Sequence, residues 1–213
     1  RSTDIALFTD LRLTIEECQL EQSLFTDLLD AFDQDCHQRR YDRAQLIDYC
    51  RRSADPIGRL VLRVSGYHDA RLDAYSDRIC TGLQLLNHLQ DLREDLLERD
   101  RIYFPLEELA ACGASEADLR AAKASPGVQR FVLEQAERIA REFAAGWPLM
   151  NCVEGRLRLE LRAILHGAAA VLQLIRSVDG DVLSGKVHLS KLRRLRTVFQ
   201  GLFSSREPKW SFR

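Results

Sequence analysis

The sequence is poor in the two residues that most often interrupt helices: it has five prolines and eleven glycines among 213 residues. Proline removes a backbone donor and glycine adds conformational freedom, so helix interiors avoid both. Their scarcity, beside many Leu, Ala, Arg and Glu residues, predicts a nearly all-helical chain. Hydrophobic residues make up 46% of the chain, which is ample for a substantial core.

Several functional classes lack their signature in this sequence. The formal net charge is −1, so nothing indicates nucleic acid or another polyanion as a partner. No apolar run approaches the roughly 18 residues that span a bilayer, and no signal peptide is visible. There is no internal repeat, no glycine-rich phosphate loop and no nucleophile elbow.

The six cysteines are widely spaced, with no CxxC pair and no cluster of histidines beside them. Such spacing argues against a disulfide framework and against a zinc site. We expect reduced, mostly buried thiols in a cytosolic protein. The cysteines are Cys18, Cys36, Cys50, Cys80, Cys112 and Cys152.

The most informative stretch is residues 81–105. If it forms one helix, Asn87, Asp91 and Asp95 project from one face about 5–6 Å apart. Two carboxylates about 6 Å apart at an effective dielectric of about 20 repel by roughly 3 kcal/mol unless a cation or a proton lies between them. Mg²⁺ removes this repulsion and keeps positions open for phosphate oxygens, so the stripe is a candidate magnesium site.

A plainer interpretation of the same stripe stays open. Acidic residues four apart are common on solvated helix faces. Arg93, Arg99 and Arg101 are close enough in sequence to neutralise the stripe as surface ion pairs. Spacing alone leaves both interpretations standing.

A second series of acids repeats the same spacing near the start of a long helix predicted over 69–98. Asp69, Asp73 and Asp77 lie in its first turns, where the helix dipole favours acidic side chains without any ligand. We therefore assign these acids to helix-start electrostatics rather than to a second metal site.

The remaining periodicity predicts further helices. We expect them at 4–14, 21–37, 43–64 with a break at Asp55-Pro56, 105–112, 115–123, 126–153 with a bend or end near Gly146, 157–178 and 189–203. Residues 157–178 are apolar on most sides, which predicts a central, close-packed helix.

Three surface segments complete the sequence. The acids Asp27, Asp30, Asp33 and Asp35 fall at mixed spacings, which indicates a solvated outer face. The basic run KLRRLR at 191–196 fits a solvated helix face better than contact with a membrane or an acidic partner. Residues 204–213 are predicted to be a loose tail.

The acidic stripe is part of a longer motif. The motif ends with RIYFP at 101–105, which follows Gln84, Asn87, Asp91 and Asp95. This arrangement resembles the second aspartate-rich motif of the squalene/phytoene synthase family, the head-to-head isoprenyl diphosphate synthases, with its usual Arg-x-Tyr-x-Pro close.

An upstream stretch, YCRRSADPIGRLVL, is similar to the Tyr-Cys segment of that family, with matches at Tyr49, Cys50, Ala54 and Gly58. Asp55-Pro56, Gln90 and the C-terminal VLSGKVHLSKLRRL look more like the bacterial hopanoid-pathway branch, whose members turn presqualene diphosphate into hydroxysqualene. The resemblance runs from about residue 23 to residue 203.

The resemblance implies an all-α isoprenoid synthase fold, a helical array around a central cavity, with Mg²⁺ as cofactor and a prenyl diphosphate as substrate. In the family, two aspartate motifs face each other across the cavity mouth and hold the metal against the diphosphate. The implied metal ligands here are Asp91, Asp95 and Asn87. Gln84 and Asn87 would position metal-bound water or diphosphate, and Arg101 would contact phosphate oxygens.

The resemblance also places Tyr49 at the cavity, where its ring stabilises a cation and its hydroxyl bonds diphosphate or water. Asp91, Asp95 and Tyr49 are thus the candidate catalytic residues. Ala54 and Gly58 would leave room for the prenyl chain.

Plainer alternatives stay open for several of these residues. Tyr49 and Tyr103 also fit core aromatics with satisfied hydroxyls. Arg101 also fits an ion pair with Glu98 or Asp95.

One family feature has no match: nothing before Tyr49 fits the first aspartate motif, Asp-Asp-x-x-Asp. The chain begins with Arg1 rather than Met. We expect either a single helical synthase domain over 1–203 that is N-terminally incomplete, or a degenerate member with one metal half-site.

Two classes of function stay open. The first is a cytoplasmic enzyme that converts presqualene diphosphate to hydroxysqualene without nicotinamide, with peripheral membrane contact suggested by its long hydrocarbon product. Its closest rival makes presqualene diphosphate or phytoene from simpler prenyl diphosphates such as farnesyl diphosphate. The second class is a non-catalytic helical assembly protein on the same fold. Retention of Asn87, Asp91 and Asp95 favours the enzyme, because a scaffold gains nothing from unpaired buried acids.

Overall fold

The structure is a computed structural model that describes residues 2–185, 187–204 and 206–210. Over these residues it has ten α-helices, two 3-10 helices and one isolated β-bridge between Arg40 and Ile102, with no strand, so the predicted all-α class is confirmed. The α-helices are α1 (Ser2–Glu17), α2 (Gln22–His37), α3 (Arg43–Ser53), α4 (Asp55–Val64), α5 (Ala70–Gln90), α6 (Leu92–Arg99), α7 (Leu106–Ala111), α8 (Pro126–Gly146), α9 (Gly155–Ser177) and α10 (Lys191–Phe203). The 3-10 helices are Glu116–Arg120 and Trp147–Asn151.

Helix α5 forms the centre of the core, because it packs against α3, α4 and α8. Two glycines allow α5 and α8 to approach closely. A Cβ on Gly82 would lie 2.8 Å from the Phe143 ring, and one on Gly146 would lie 2.6 Å from Ile79 Cγ1. The helix that bears most of the candidate site is therefore closely packed in the core. None of the helices, within the described residues, combines the length and apolar character needed to cross a membrane.

The segment predicted as a central helix, now α9, is not central. It buries one face, which includes Leu165, while Leu159 and Ile164 are 39% and 45% exposed. Helix α10 packs on α9 so closely that a Cβ on Gly201 would lie 2.5 Å from the Cα of Ala163. The prediction was wrong because apolar side chains also occur on protein surfaces, so an apolar segment does not have to be buried all round.

The break predicted at Asp55-Pro56 is confirmed. Helix α3 ends at Ser53, Ala54 has φ −120° and ψ −48°, and Pro56 lies in the first turn of α4. Backbone N–H groups in the first turn of a helix have no acceptor within that helix. Proline, which lacks an N–H, is therefore well tolerated there. The helix predicted over 126–153 ends at Gly146, as expected, and continues as a 3-10 turn.

This break buries a carboxyl group. Asp55 is 7% exposed, and one of its oxygens accepts a hydrogen bond from the Thr81 hydroxyl at 2.9 Å. Burial raises the pKa of Asp55 to about 7, and the neighbouring charge of Asp77 raises it further in the same direction. Because the folded pKa lies above the unfolded one, the stabilisation from protonated Asp55 is complete at acidic pH and is lost as the pH rises through about 7.

We therefore expect the free energy of unfolding to fall by about 2 kcal/mol between about pH 5.5 and 7, since each pH unit between the two pKa values contributes about 1.4 kcal/mol. Asp55→Asn removes this slope, whereas Asp30→Asn, at an exposed position of α2, keeps it. Urea unfolding at both pH values measures the effect. An Asp55→Asn protein with the wild-type slope would contradict the assignment.

The acids near the start of α5 have different roles. Asp69 is the N-cap of α5 and accepts a hydrogen bond from a backbone N–H two residues on, as helix-start electrostatics predict. Asp73 and Asp77 instead pair with the arginines of α4: Arg63 binds both oxygens of Asp73 at 2.7–2.8 Å, and Arg59 binds Asp77 at 2.6 Å. The dipole assignment was wrong for these two acids because their partners lie on another helix.

The six cysteines are free thiols, as predicted. Two of them, Cys50 and Cys112, are buried and Cys36 is exposed, so the expectation of mostly buried thiols was wrong. The other three, Cys18, Cys80 and Cys152, are partly buried.

The C-terminal segment includes a packed aromatic side chain. We predicted a loose tail over 204–213, but the Trp210 ring stacks on Phe143 with centroids 5.2 Å apart. Its indole N–H donates to Glu207 at 2.8 Å. In the basic run at 191–196, the side chains of Lys191, Arg193 and Arg194 lie outside the described residues.

Candidate active site

The acidic stripe lies at a bend between two helices. The single helix predicted over 69–98 was wrong: α5 ends at Gln90, α6 begins at Leu92, and Asp91 between them has φ −94° and ψ 10°. The i to i+4 bonds nevertheless continue, since Asp91 N–H donates to Asn87 O at 2.9 Å and Asp95 N–H donates to Asp91 O at 2.8 Å. Asn87, Asp91 and Asp95 therefore follow one another by one turn, as predicted.

Both carboxyl groups of the stripe are in surroundings that disfavour their charged form. Asp95 is 8% exposed, and burial is the main cause that raises its pKa, although Arg99 opposes the rise from 2.6 Å. Burial also raises the pKa of half-buried Asp91, and the charge of Glu94 adds to the effect. A cation at the stripe would stabilise both carboxylates.

The oxygen atoms of the acidic stripe fit one half of a magnesium site. Among the described residues no group of three or more His, Cys, Asp or Glu could hold a metal by itself. Mg²⁺, however, commonly binds through one or two carboxylates together with waters and substrate phosphates. Asp91 and Asp95 supply the carboxylates, the exposed amide of Asn87 adds a polar ligand, and no described residue donates a hydrogen bond to the Asp91 carboxylate.

The plainer ion-pair interpretation holds for one arginine of the three. Arg99 pairs with Asp95, but its side chain is 50% exposed and is therefore also accessible to solvent. Arg101 is 8% exposed and binds elsewhere, so the alternative pairing with Glu98 or Asp95 was wrong.

Arg101 belongs to a buried cluster of tyrosines. Its Nη1 donates to the Tyr103 hydroxyl at 2.9 Å, and its Nη2 donates to the backbone carbonyl of Asp35. Two nitrogens of the guanidinium thus bind protein groups, while its buried Nε has no hydrogen-bond partner among the described residues. The proposed contact of Arg101 with phosphate oxygens stays a prediction. The sequence could not reveal the contact with Asp35, because that residue lies on α2 and meets Arg101 only when the two segments pack together.

The acceptor at the centre of this cluster is Asp35. Tyr49 donates to Asp35 Oδ2 at 2.8 Å, while Tyr103 and Tyr41 donate to Oδ1 at 3.2 and 3.3 Å. The solvated outer face predicted for this acid was wrong, since its side chain is 25% exposed and surrounded by hydroxyl donors. Tyr49 itself is 3% exposed in the core and its hydroxyl is bonded, as the plainer interpretation expected, while its catalytic role stays a prediction.

The cluster extends to the acidic stripe through His88. The imidazole of His88 stacks on Tyr103 with centroids 3.6 Å apart, and its Nε2 lies 3.3 Å from Gln84 Nε2. Burial lowers the pKa of His88 to about 3, so the ring is neutral and Nε2 accepts from the amide of Gln84. Gln84 is thereby oriented one turn before Asn87. Sequence reasoning missed His88 and Asp35, and no spacing signal points to either.

The small residues of α4 serve packing in this structure. A Cβ on Gly58 would lie 2.5 Å from Cys80 Sγ and would also collide with Ser76 Oγ, so the glycine allows α4 to approach α5. Ala54 is 7% exposed at the break between α3 and α4. The role predicted for both residues, to leave room for a prenyl chain, is not visible at Gly58 because α5 side chains fill the adjacent space.

The chain matches known proteins over most of its length. A model of the family described as squalene/phytoene synthase matches residues 2–193. A hydroxysqualene synthase of Sinorhizobium fredii is 40% identical over 171 residues, 79% of this chain and 58% of the relative. A hydroxysqualene synthase of Rhodopseudomonas palustris is 36% identical over 204 residues, 95% of this chain and 68% of the relative.

A solved structure agrees with these relatives. The squalene synthase HpnC from Alicyclobacillus acidocaldarius superposes with a TM-score of 0.76 at 38% identity, covering 81% of this chain and 65% of that one. The chain thus spans 58–68% of the length of these proteins. It has an isoprenoid synthase-type helical fold, and it belongs to the squalene/phytoene synthase family.

Proposed function

We propose that the protein is a magnesium-dependent isoprenoid synthase of hopanoid biosynthesis that converts presqualene diphosphate to hydroxysqualene. The observation on which this proposal rests is the stripe of Asn87, Asp91 and Asp95, kept one turn apart across the bend, with both carboxyl pKa values raised by burial. The similarity to hydroxysqualene synthases supports the choice of substrate.

The residues of this chain would have the following roles in the reaction. Asp91 and Asp95 would hold the metal, whose positive charge stabilises the leaving diphosphate. Asn87 and Gln84 would orient metal-bound water or diphosphate oxygens, with Gln84 held by His88. The ring of Tyr49 would stabilise the carbocation, and the packed helices would exclude water until the cation has rearranged.

The reaction needs no reductant. The carbon–oxygen bond to diphosphate breaks, and its electron pair leaves with the diphosphate. The cyclopropylcarbinyl cation rearranges, a water oxygen bonds to the resulting carbon, and the water loses a proton. We further propose a cytoplasmic location with peripheral membrane contact. The membrane contact is proposed because both the prenyl substrate and the product carry long hydrocarbon chains.

The test is to incubate the full-length protein with presqualene diphosphate and Mg²⁺ in the absence of NADPH and to analyse the extracted lipid by mass spectrometry. We expect hydroxysqualene, and none when EDTA removes the metal. If a folded protein that binds Mg²⁺ leaves the substrate unchanged, the proposal is wrong, and head-to-head condensation of farnesyl diphosphate becomes the leading function.

A non-catalytic assembly role is the second candidate. The ion pair between Arg99 and Asp95 favours it, because the arginine partly neutralises the stripe without any metal. A folded protein that neither consumes prenyl diphosphates nor binds Mg²⁺ would support this candidate.

A further inference from the structure

Three tyrosine hydroxyls converge on one carboxyl group. Tyr49, Tyr41 and Tyr103 all donate to Asp35, and the bond from Tyr49 is the shortest at 2.8 Å. A phenol has a single proton, and a carboxylate accepts hydrogen bonds without donating any. The proton of the Tyr49 hydroxyl is therefore directed at α2, and the lone pairs of its oxygen are directed away from Asp35.

We propose that Asp35 is a positioning residue that fixes the orientation of Tyr49 for the reaction. This inference rests on the proposed function. Asp35 keeps the Tyr49 hydroxyl as a donor to the protein, so that the tyrosine offers its ring and its oxygen lone pairs, both electron-rich, to a carbocation. In this role Tyr49 stabilises positive charge and does not donate a proton to the departing diphosphate.

The charges around the cluster support this orientation. The cation that faces Asp35 from the chain after α6 is Arg101, whose Nη1 lies 3.5 Å from Asp35 Oδ1 and 2.9 Å from the Tyr103 hydroxyl. His88 of α5 faces the same rings and stacks on Tyr103 with centroids 3.6 Å apart. Burial, with the neighbouring Asp35 charge, holds the pKa of Tyr49 far above its usual range, so the phenol keeps its proton.

A packing role alone explains this arrangement poorly. The three tyrosines are 3–6% exposed. Phenylalanine at those three positions, together with an apolar side chain in place of Asp35, would fill the same core without any buried polar group that needs a partner. The cluster also continues through Tyr103 and His88 to Gln84, which lies one turn from the acidic stripe. The carboxylate is thus connected to the candidate site at both Tyr49 and Gln84.

A double-mutant cycle on the full-length protein tests the inference. The variants are Asp35→Asn, Tyr49→Phe and their combination. Asp33→Asn serves as the matched control, because it lies on the same helix with its side chain 79% exposed and only a long contact to His37 among the described residues. The measurements are kcat and KM for presqualene diphosphate with Mg²⁺, and the melting temperature of each variant.

We expect Asp35→Asn to lower kcat about 10- to 100-fold with KM changed less than about threefold, the size typical of a group that orients a catalytic residue. In the Tyr49→Phe background the same change has little further effect, because the group that Asp35 orients is gone. Asp33→Asn keeps the wild-type kcat. Losses that multiply in the double variant, or a lowered melting temperature with unchanged kcat, overturn the inference.

If the proposed function is wrong, the experiment gives a result that differs from the failure of the Asp35 inference. Wild-type protein that leaves presqualene diphosphate unchanged refutes that function. The double-mutant cycle then compares the melting temperatures of the variants instead of their kcat values. Asp35→Asn should lower the melting temperature in the Tyr49 background and lower it much less in the Tyr49→Phe background. Additive shifts in that measurement overturn the pairing of Asp35 with Tyr49.

Discussion

Replacing Asp91 or Asp95 with alanine is expected to abolish magnesium-dependent turnover while the protein remains folded. Each carboxylate would supply charge that stabilises the metal and, through it, the leaving diphosphate. Removing one preorganised electrostatic group commonly costs about 100- to 1,000-fold in kcat, and we expect at least the upper figure here because the same group also binds the metal. Turnover of presqualene diphosphate against Mg²⁺ concentration measures the loss.

Stability should change little in these variants. Burial raises the pKa of both carboxyl groups, so their charged forms are disfavoured in the folded protein and their removal relieves that cost. Arg99, which loses a partner in Asp95→Ala, has a half-exposed side chain that water can solvate. Glu98→Ala, at an exposed position of α6, is the control and should keep full activity. A folded Asp91→Ala/Asp95→Ala protein that still turns over substrate would disprove the metal assignment.

Asp73→Asn is expected to lower the free energy of unfolding by about 3–5 kcal/mol, the usual cost of breaking a buried ion pair by removing one partner. Arg63 is 7% exposed, and two of its nitrogens bind the two oxygens of Asp73. Glu21 is a second partner of Arg63, but its side chain is 44% exposed and its charge is partly screened by water. The substitution therefore leaves a buried guanidinium short of its principal counter-charge.

Asp69→Asn is the matched control. Asn caps helix N-termini about as well as Asp does, so we expect a change of at most a few tenths of a kcal/mol there. Urea unfolding at pH 7 compares the two variants directly. If both lose the same small amount, helix-start electrostatics would explain Asp73 as well as Asp69, and the structural assignment would be incorrect.

Asp69 and Asp73 show how far a sequence pattern can be taken. Their spacing on α5 is the same, and position relative to the helix start is local information that the sequence contains. The capping role of Asp69 follows from that information, because its partner is a backbone N–H two residues away. The role of Asp73 does not, because its partner lies on α4 and reaches it only when the two helices pack.

The candidate site divides in the same way. The sequence by itself determined the helical class, the break at Asp55-Pro56 and the order of Asn87, Asp91 and Asp95 along one face, since all three depend on backbone geometry over a few residues. It did not determine the bend at Asp91, the half-exposed position of α9 or the packing function of Gly58.

Only the tertiary structure decided the surroundings of Tyr49. Asp35 lies on α2, Tyr49 on α3 and Tyr103 beyond α6, so no local spacing relates them, and they meet because these segments pack together. Burial at that meeting point makes an unpartnered polar group costly, so each hydroxyl needs an acceptor. A sequence sets the donors and acceptors that a chain possesses, and packing determines which of them share a dry environment and must therefore bind one another.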